Sequence, residues 1–537
     1  MPYAAPRYAA APSPSSTTHH PAVVVGGGLV GLTLALDLAQ RGVPVVVLDD
    51  DDTVSTGSRA ICFAQRTLEI FGRLGLGPRM LEKGITWNVG RVFFGERQLF
   101  NFDLLPEDGH EYPAFVNLQQ YYAEEWLIEA CQATGLVDLR WRHAVAGVES
   151  RADGAVVTVE TPSGAYALTT DWLIAADGAR SVVRRRLGLS FVGKSFYDRF
   201  LIADVVMQAP RPAERWFWFD PPFHPHQSAL LHKQPDDVWR IDLQLGWDAD
   251  PEEERQPERV IPRVQAMLGP DVAFRLEWVS VYTFHCRRLE RFVHGRVVFV
   301  GDSAHQVSPF GARGGNGGVQ DADNLGWKLA AAIAGTAGPA LIGSYDAERI
   351  AAADENIGHS TRATNFITPK TDAARAYRDA ALTLAARYPF ARPLVNSGRL
   401  SRPARLLDSP LNAPASDEWP GCLPPGAPAV DAPVTVAGRP DWLLRHVAGP
   451  GFSLLVFGGP ATPDIPGVKT IRIAPDGLHD VRGLAVRRYG AAPDACVLLR
   501  PDGHVAALFH RFDQVRVTAA MRCTLGHTAS AVLERVA

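Results

Sequence analysis

No uninterrupted apolar run in this chain of 537 residues reaches the roughly 18 residues needed to span a bilayer, so the sequence predicts no membrane helix. Cysteine is sparse: Cys62, Cys131, Cys286, Cys422, Cys496 and Cys523 are scattered, with no CxxC pair and no metal-ligand spacing. That pattern fits reduced thiols in a cytoplasmic protein without a metal. Charge of one sign is lacking too. Lys and Arg number 54 against 58 Asp and Glu, a net charge of −4, which gives no electrostatic reason for a nucleic-acid or membrane partner. Residues 1–20 are rich in Ala, Pro, Ser and Thr and lack the apolar core of a signal peptide. They read as a disordered leader, with structure beginning at Pro21. A soluble globular protein of two or three domains remains: 46% of residues are hydrophobic, 21% are charged, and the length exceeds one ordinary domain.

What is present is glycine and acid at the ends of apolar strands. Ala22–Val25 is a short β-branched run of the kind found in buried parallel strands. GGGLVG follows, with Gly26, Gly28 and Gly31 in G-x-G-x-x-G register, then a helical stretch that stops at Gly42. A second strand ends at Asp49. Strand, glycine turn, helix, strand and acid together are the layout of a dinucleotide-binding unit. Bare glycine lets backbone N–H groups approach a pyrophosphate at the positive end of the helix, and Asp49 can hold a ribose. The adjacent Asp50, Asp51 and Asp52 disfavour a 2′-phosphate here. A further strand ends in Asp177-Gly178, where Asp177 either serves the nucleotide or caps its own turn. A third ends at Asp302, and beyond it lie Gly311, Gly314, Gly315, Gly317 and Gly318.

GGGLVG, ADGARSVVR and VGDSAHQVSP, in that order, resemble the three fingerprints of the class A flavoprotein monooxygenases. Within that family the chain is similar to the hydroxyphenylpropionate and phenol hydroxylase-type enzymes. The resemblance spans residues 21–400 and implies bound FAD. It assigns Arg59 and Gln119 to cofactor contacts and Asp302 to the ribityl chain. The backbone of Gly314, Gly315 and Asn316 falls to the flavin's pyrimidine edge. It further implies NADH or NADPH as a transient co-substrate, since no second G-x-G-x-x-G follows, with O2 captured as a flavin 4a-hydroperoxide and delivered to a phenolic or related aromatic ring. Homodimerisation is a family-level expectation. Epoxidation, ring-expanding (Baeyer-Villiger-type) oxygen insertion and flavin binding without turnover stay open as alternatives. The family pattern Pro-Pro followed by G-Q-G-x-N is altered here: Pro309 is kept, and Arg313 stands in place of a glutamine. That charge either favours anionic reduced flavin or an anionic substrate, or it points to solvent or to the pyrophosphate.

The expected fold is α/β: a Rossmann-like FAD-binding domain, residues 21–190 and 285–400, with an inserted, mostly antiparallel substrate sheet at 191–284. A proline-rich linker, 401–429, leads to a thioredoxin-like domain, 430–537, that lacks CxxC. In the inserted sheet Trp216 and Trp218 share one strand face. With Phe223 they either line a pocket for a planar ring or pack the sheet. His224 is a candidate for orienting substrate or handling protons. Tyr282 and His285 are expected near the active site, because the resembled family brings the end of their segment there.

Overall fold

Ala22–Val25 and Val45–Leu48 are buried along their whole length, as β-branched runs covered on both faces must be. In the computed structural model of the chain they form a parallel sheet, in the order Val297–Phe299, Gly164–Ala175, Thr18–Val25, Val45–Asp49, Val137–Trp141. The described residues are 3–14, 16–57, 59–395, 400, 402–413, 419, 421, 423–447, 449–459 and 463–527; Ser58 and Cys422 fall outside them. Register places the chemistry. Val25 lies opposite Leu48 and Ala175, and Ala175 opposite Phe299, so the loops carrying Gly26, Asp49, Asp177 and Asp302 all leave one edge of the sheet. The helix Leu29–Gln40 packs closely behind the first strand. A Cβ on Gly31 would lie 2.0 Å from the carbonyl oxygen of Gly26, so only glycine fits.

The second sheet has eight strands among the described residues. Its order is His305–Gln306, Arg275–Leu289, Phe191–Val206, Val238–Leu245, Ser228–Lys233, Arg215–Phe219, Val89–Phe94, Arg97–Asp103. All neighbours are antiparallel except Arg215–Phe219 with Val89–Phe94. The substrate sheet therefore exceeds the expected 191–284. Residues 89–103 join it at one edge, a pairing distant in sequence that no local pattern signals. One face packs Leu201, Ala203, Trp218, Leu231 and Ile241 against Val260 and Val264 of the helix Pro257–Leu268. The other carries Phe200, Phe219, Phe284 and Phe310.

Two expectations are corrected. The leader is not detached. Thr18 to His20 extend the first strand, Tyr3 stacks on Tyr121 at 3.9 Å, Tyr8 stacks on Trp141 at 4.7 Å, and Arg7 pairs with Asp52. Its scattered aromatics make these contacts, and composition alone hides them. In the linker, Leu406, Leu411, Leu423, Ala427 and Ala429 are buried, so proline there marks packed turns rather than a free tether. The main sheet of the C-terminal unit has, among the described residues, four strands in the order Val468–Ile473, Phe452–Phe457, Cys496–Leu499, Val505–Phe509, with the first pair parallel and the others antiparallel. Its hairpin meets the FAD-binding unit through a wholly buried ionic network. Arg500 donates to Glu348 at 2.6 Å and to Asp502 at 2.5 Å, and Lys328 donates to Glu348 at 2.6 Å.

Candidate active site

The glycine turn sits over Asp49. Gly26 has φ +106°, and the N–H of Gly27 donates to Asp49 Oδ2 at 2.5 Å. Burial pushes the Asp49 carboxyl up to about 6, against hydrogen bonds from the Asp51 and Gly27 backbones. Gly28, the N-cap, has no side chain with which to cap the helix that begins after it, and a Cβ there would meet only Glu124 Oε1, at 3.7 Å. Glu124 clamps this end of the site: its carboxylate accepts from Leu29 N at 3.2 Å, Gln120 Nε2 at 2.7 Å and Ser55 N at 2.7 Å. Two adjacent glutamines stand here, and the buried Oε1 of Gln119 has no partner among the described residues. Gln119 turns inward and donates to Pro235 O at 3.2 Å, whereas Gln120 accepts from Ala60 N at 2.9 Å, next to Arg59. Gln120 and Glu124 were missed; their i,i+4 spacing on one helix was the available signal.

The second and third strand ends close the cleft. Asp177 Oδ2 accepts from Val183 N at 3.1 Å, while its buried Oδ1 has no partner among the described residues; burial raises its pKa. Gly178 follows at φ +71° with open space where a Cβ would stand. Asp302 is accessible, yet its carboxyl is pushed up by burial, with Asp321 adding to this and His305 and Arg59 opposing it. Tyr282 behaves alike: it is 46% exposed, and its phenol is raised by burial and by Asp302, with Arg59 and Arg240 opposing. Arg59 opposes the shift of both groups, so Asp302, Tyr282 and Arg59, all three exposed, border one accessible space. Behind Asp302, Asp321 accepts from His305 at 2.7 Å and Arg349 at 2.6 Å, fixing the loop.

The glycine-rich turn ends in the helix Gly314–Ile333, whose N-terminus no side chain caps. Pro309 O accepts from Ala312 N at 3.1 Å to make the turn. Gly314 would accept a Cβ with only Val307 near, at 3.7 Å, and Gly315 lies against Ala60, so bare N–H groups face the cleft. The Asn316 side chain does not reach the cleft. It is spent on Cys62 O at 2.8 Å, Ala312 O at 2.5 Å and Ala64 N at 2.9 Å, tying the helix start to the strand Cys62–Ala64. Arg313 is buried and reaches Asn356 Oδ1 at 3.3 Å on the helix Leu341–Ile367, so its direct contact turns toward that helix.

The substrate candidates divide by sheet face. Trp216, Trp218 and Phe223 belong to the outer cluster, with Trp218 stacked on Phe93 at 5.0 Å. Size suggested a pocket, but alternation turns them away from the cleft. His224 binds Gln244 O at 2.6 Å and is equally structural. His285 bonds Ser195 Oγ at 3.1 Å on the face opposite Tyr282 and Phe284. The Tyr282 face of the sheet instead carries Phe200, Phe284 and Phe310, buried and mutually packed at 5.0–5.3 Å, with the exposed Tyr282 at their rim.

Three acid-bearing strand ends, a glycine turn and the start of the helix Gly314–Ile333 thus converge on one cleft. Residues 19–360 match the family described as FAD binding domain. The chain belongs to this family of FAD-binding monooxygenases. It is 32% identical over 527 residues to a 6-methylpretetramide 4-monooxygenase of Streptomyces rimosus, covering 93% of this chain and 92% of that one. It is 30% identical over 438 residues to a 3-(3-hydroxy-phenyl)propionate/3-hydroxycinnamic acid hydroxylase of Mycobacterium sp. (strain KMS), covering 81% and 74%. The fold matches the flavin-dependent monooxygenase PieE, solved with FAD and substrate, at a TM-score of 0.80 and 23% identity, covering 97% of this chain and 100% of that one. This flavoprotein monooxygenase binds FAD, and the unpartnered Asp177 oxygen, the bare glycine turns and the accessible carboxyl of Asp302 suit such a cofactor.

Proposed function

We propose that the protein hydroxylates a phenolic or related aromatic compound, consuming NAD(P)H and O2. The supporting observation is the adjacency of an aromatic wall (Phe200, Phe284, Phe310) to a cleft bounded by Asp302, Arg59 and Tyr282. Bound FAD supplies the electron storage and the oxygen activation. The protein's residues hold and shield it. Gly26, Gly28 and Gly178 let backbone approach the pyrophosphate, Asp49 takes a ribose hydroxyl, and Arg59, Gln120 and Asp302 line the route to the ring. The amides of Gly314 and Gly315 favour negative charge on the pyrimidine edge. Tyr282, with its raised pKa, stays protonated at neutral pH and donates a hydrogen bond toward the ring or the substrate oxygen. The phenylalanine wall excludes water.

Purified protein should be yellow, and an aromatic effector should accelerate NAD(P)H oxidation with matching O2 uptake and product gaining one oxygen. Oxidation that no phenol stimulates would sink the hydroxylase function. The 6-methylpretetramide relative matches through the C-terminal unit, so polycyclic phenols belong in the panel beside hydroxyphenylpropionates.

Asp49 adds a pH prediction. Without ligand its carboxyl titrates at about 6, raised from 3.8, so below that pH the site carries a proton. A ribose hydroxyl donating to the carboxylate favours the ionised form. FAD affinity should therefore weaken as pH falls through about 6 and level off above it. Fluorescence titration of FAD into apoprotein between pH 5 and pH 8 checks this (about three units around that value), and an Asp49→Asn variant should flatten the profile.

A further inference from the structure

The cleft-side face of the second sheet carries a row of polar residues straight across adjacent strands. Arg215 lies opposite His232, His232 opposite Arg240, and Arg240 opposite Asp204. All four are buried. Alternation puts Arg215 on the same face as Phe217 and Phe219, which belong to the aromatic cluster of Phe200, Phe284 and Phe310. The row also borders the cofactor cleft. His232 Nδ1 lies 4.0 Å from Cys62 Sγ, and Cys62 O is the acceptor that holds Asn316 at the start of the glycine helix. Arg240 donates to the backbone oxygen of Arg59 at 3.1 Å.

Two guanidiniums and two carboxylates, Asp204 and Asp242, balance in number here, but they do not all pair directly: Asp204 accepts from Gln234 at 3.4 Å and lies opposite Arg240, not Arg215. Arg240 is satisfied: it forks onto Asp242 at 3.0 and 3.1 Å. Asp242 is thereby occupied, and it approaches His232 only to 3.9 Å. Arg215 is left over. The residue is 9% exposed and its side chain makes no hydrogen bond or ion pair with the described residues; its Nε is a buried donor without an acceptor. Burial lowers its pKa, with Cys62 and Asp242 opposing and Arg240 adding to the shift, but a guanidinium remains charged in a protein. His232 cannot supply the missing anion. Burial, Arg215 and Arg240 hold its pKa well below the usual value, so it is neutral. An unpaired buried cation is costly unless a ligand completes it. A flat fork of donors is completed best by a carboxylate, which matches it in shape and charge.

We propose, building on the hydroxylase function above, that Arg215, seated beside His232, is the docking point for a carboxylate carried by the aromatic substrate. The acid anchors at the sheet while the ring extends along Phe217 and Phe219 toward the flavin. Neighbouring Gln234, whose buried Oε1 is also without a partner, is placed to accept from a hydroxyl of the same ligand.

The test uses the FAD-loaded enzyme and matched pairs of probes: 3-(3-hydroxyphenyl)propionate with its primary amide, and a hydroxyanthraquinone carboxylate with its primary amide. Binding is read from the perturbation of the flavin absorbance. For at least one pair the acid should bind about tenfold or more tightly than the amide, as a hydrogen-bonded charge pair would give. Arg215→Met should erase that preference by weakening the acid alone, and Arg215→Lys should keep part of it, both with normal FAD content. Equal affinities within both pairs in the unmodified enzyme, or a preference that survives Arg215→Met, would overturn the subsite. The comparison in the unmodified enzyme decides the matter even if Arg215→Met fails to fold. Turnover of neutral phenols without acid preference rejects the subsite and keeps the hydroxylase. Silence of every aromatic probe in both binding and NAD(P)H oxidation rejects both.

Discussion

Replacing Arg500 by methionine is expected to destabilise the folded chain by about 3–5 kcal/mol, the usual result of removing one partner from a buried ion pair. Arg500 is 1% exposed and bridges Glu348 on the FAD-binding unit and Asp502 in its own hairpin. Burial alone would push the Glu348 carboxyl up, yet Arg500 and Lys328 outweigh it and hold the group well below the ordinary 4.5. Without the guanidinium, Glu348 keeps Lys328, Asn324 and Ser409 as donors, and among the described residues Asp502 keeps Asn324, Trp327 and His504 as close side-chain neighbours. Urea unfolding should show the loss. Because the network is buried, 1 M salt (screening length about 3 Å) should not mimic it, whereas salt should weaken exposed pairs such as Arg79–Glu129. The pH sign follows from the depressed carboxyl. Its contribution is complete above about pH 4.5, the unfolded value, and is lost as pH falls toward the folded one. An Arg500→Met variant within 1 kcal/mol of the parent (about a fivefold change in equilibrium) would mean that the network is neutral.

Such a link was invisible in the sequence, where Glu348 and Arg500 stand 152 positions apart. What was legible was local. Gly26, Asp49, Asp177 and Asp302 each sit where an apolar strand stops, and strand, glycine and acid are written consecutively in the chain. What failed depended on which side of an element meets its partner. Gln119 and Gln120 are adjacent, and only the helix's docking shows that Gln120 meets Ala60. Trp216 and Trp218 drew attention by size, but strand alternation gives two faces without saying which one is inside. The same alternation already separates Tyr282 from His285, since residues three apart on a strand point opposite ways. Arg215 had no signal at all, because an arginine at a strand start ordinarily reads as solvated. Its significance comes only from burial without a partner.

Two glycines of one motif should fail in different ways. Gly31→Ala would place a methyl 2.0 Å from Gly26 O and 3.2 Å from the Ala176 Cβ. Neither neighbour can yield without separating the helix Leu29–Gln40 from its strand, so the variant should lose at least the roughly 1–3 kcal/mol of an overpacked core, with or without FAD. Gly28→Ala meets only Glu124 Oε1 at 3.7 Å, an ordinary contact, so the apoprotein should unfold at the parent's temperature. Its methyl nonetheless stands at the helix start where the proposed site brings the pyrophosphate. FAD should therefore bind about tenfold or more weakly, a cost of about 1.4 kcal/mol or more. Thermal unfolding of the two apoproteins, followed by FAD titration, separates packing from ligand approach. Parent-like FAD affinity in Gly28→Ala would show that the cofactor does not press against this turn. Parent-like stability in Gly31→Ala would show that helix and strand can part to admit a methyl group.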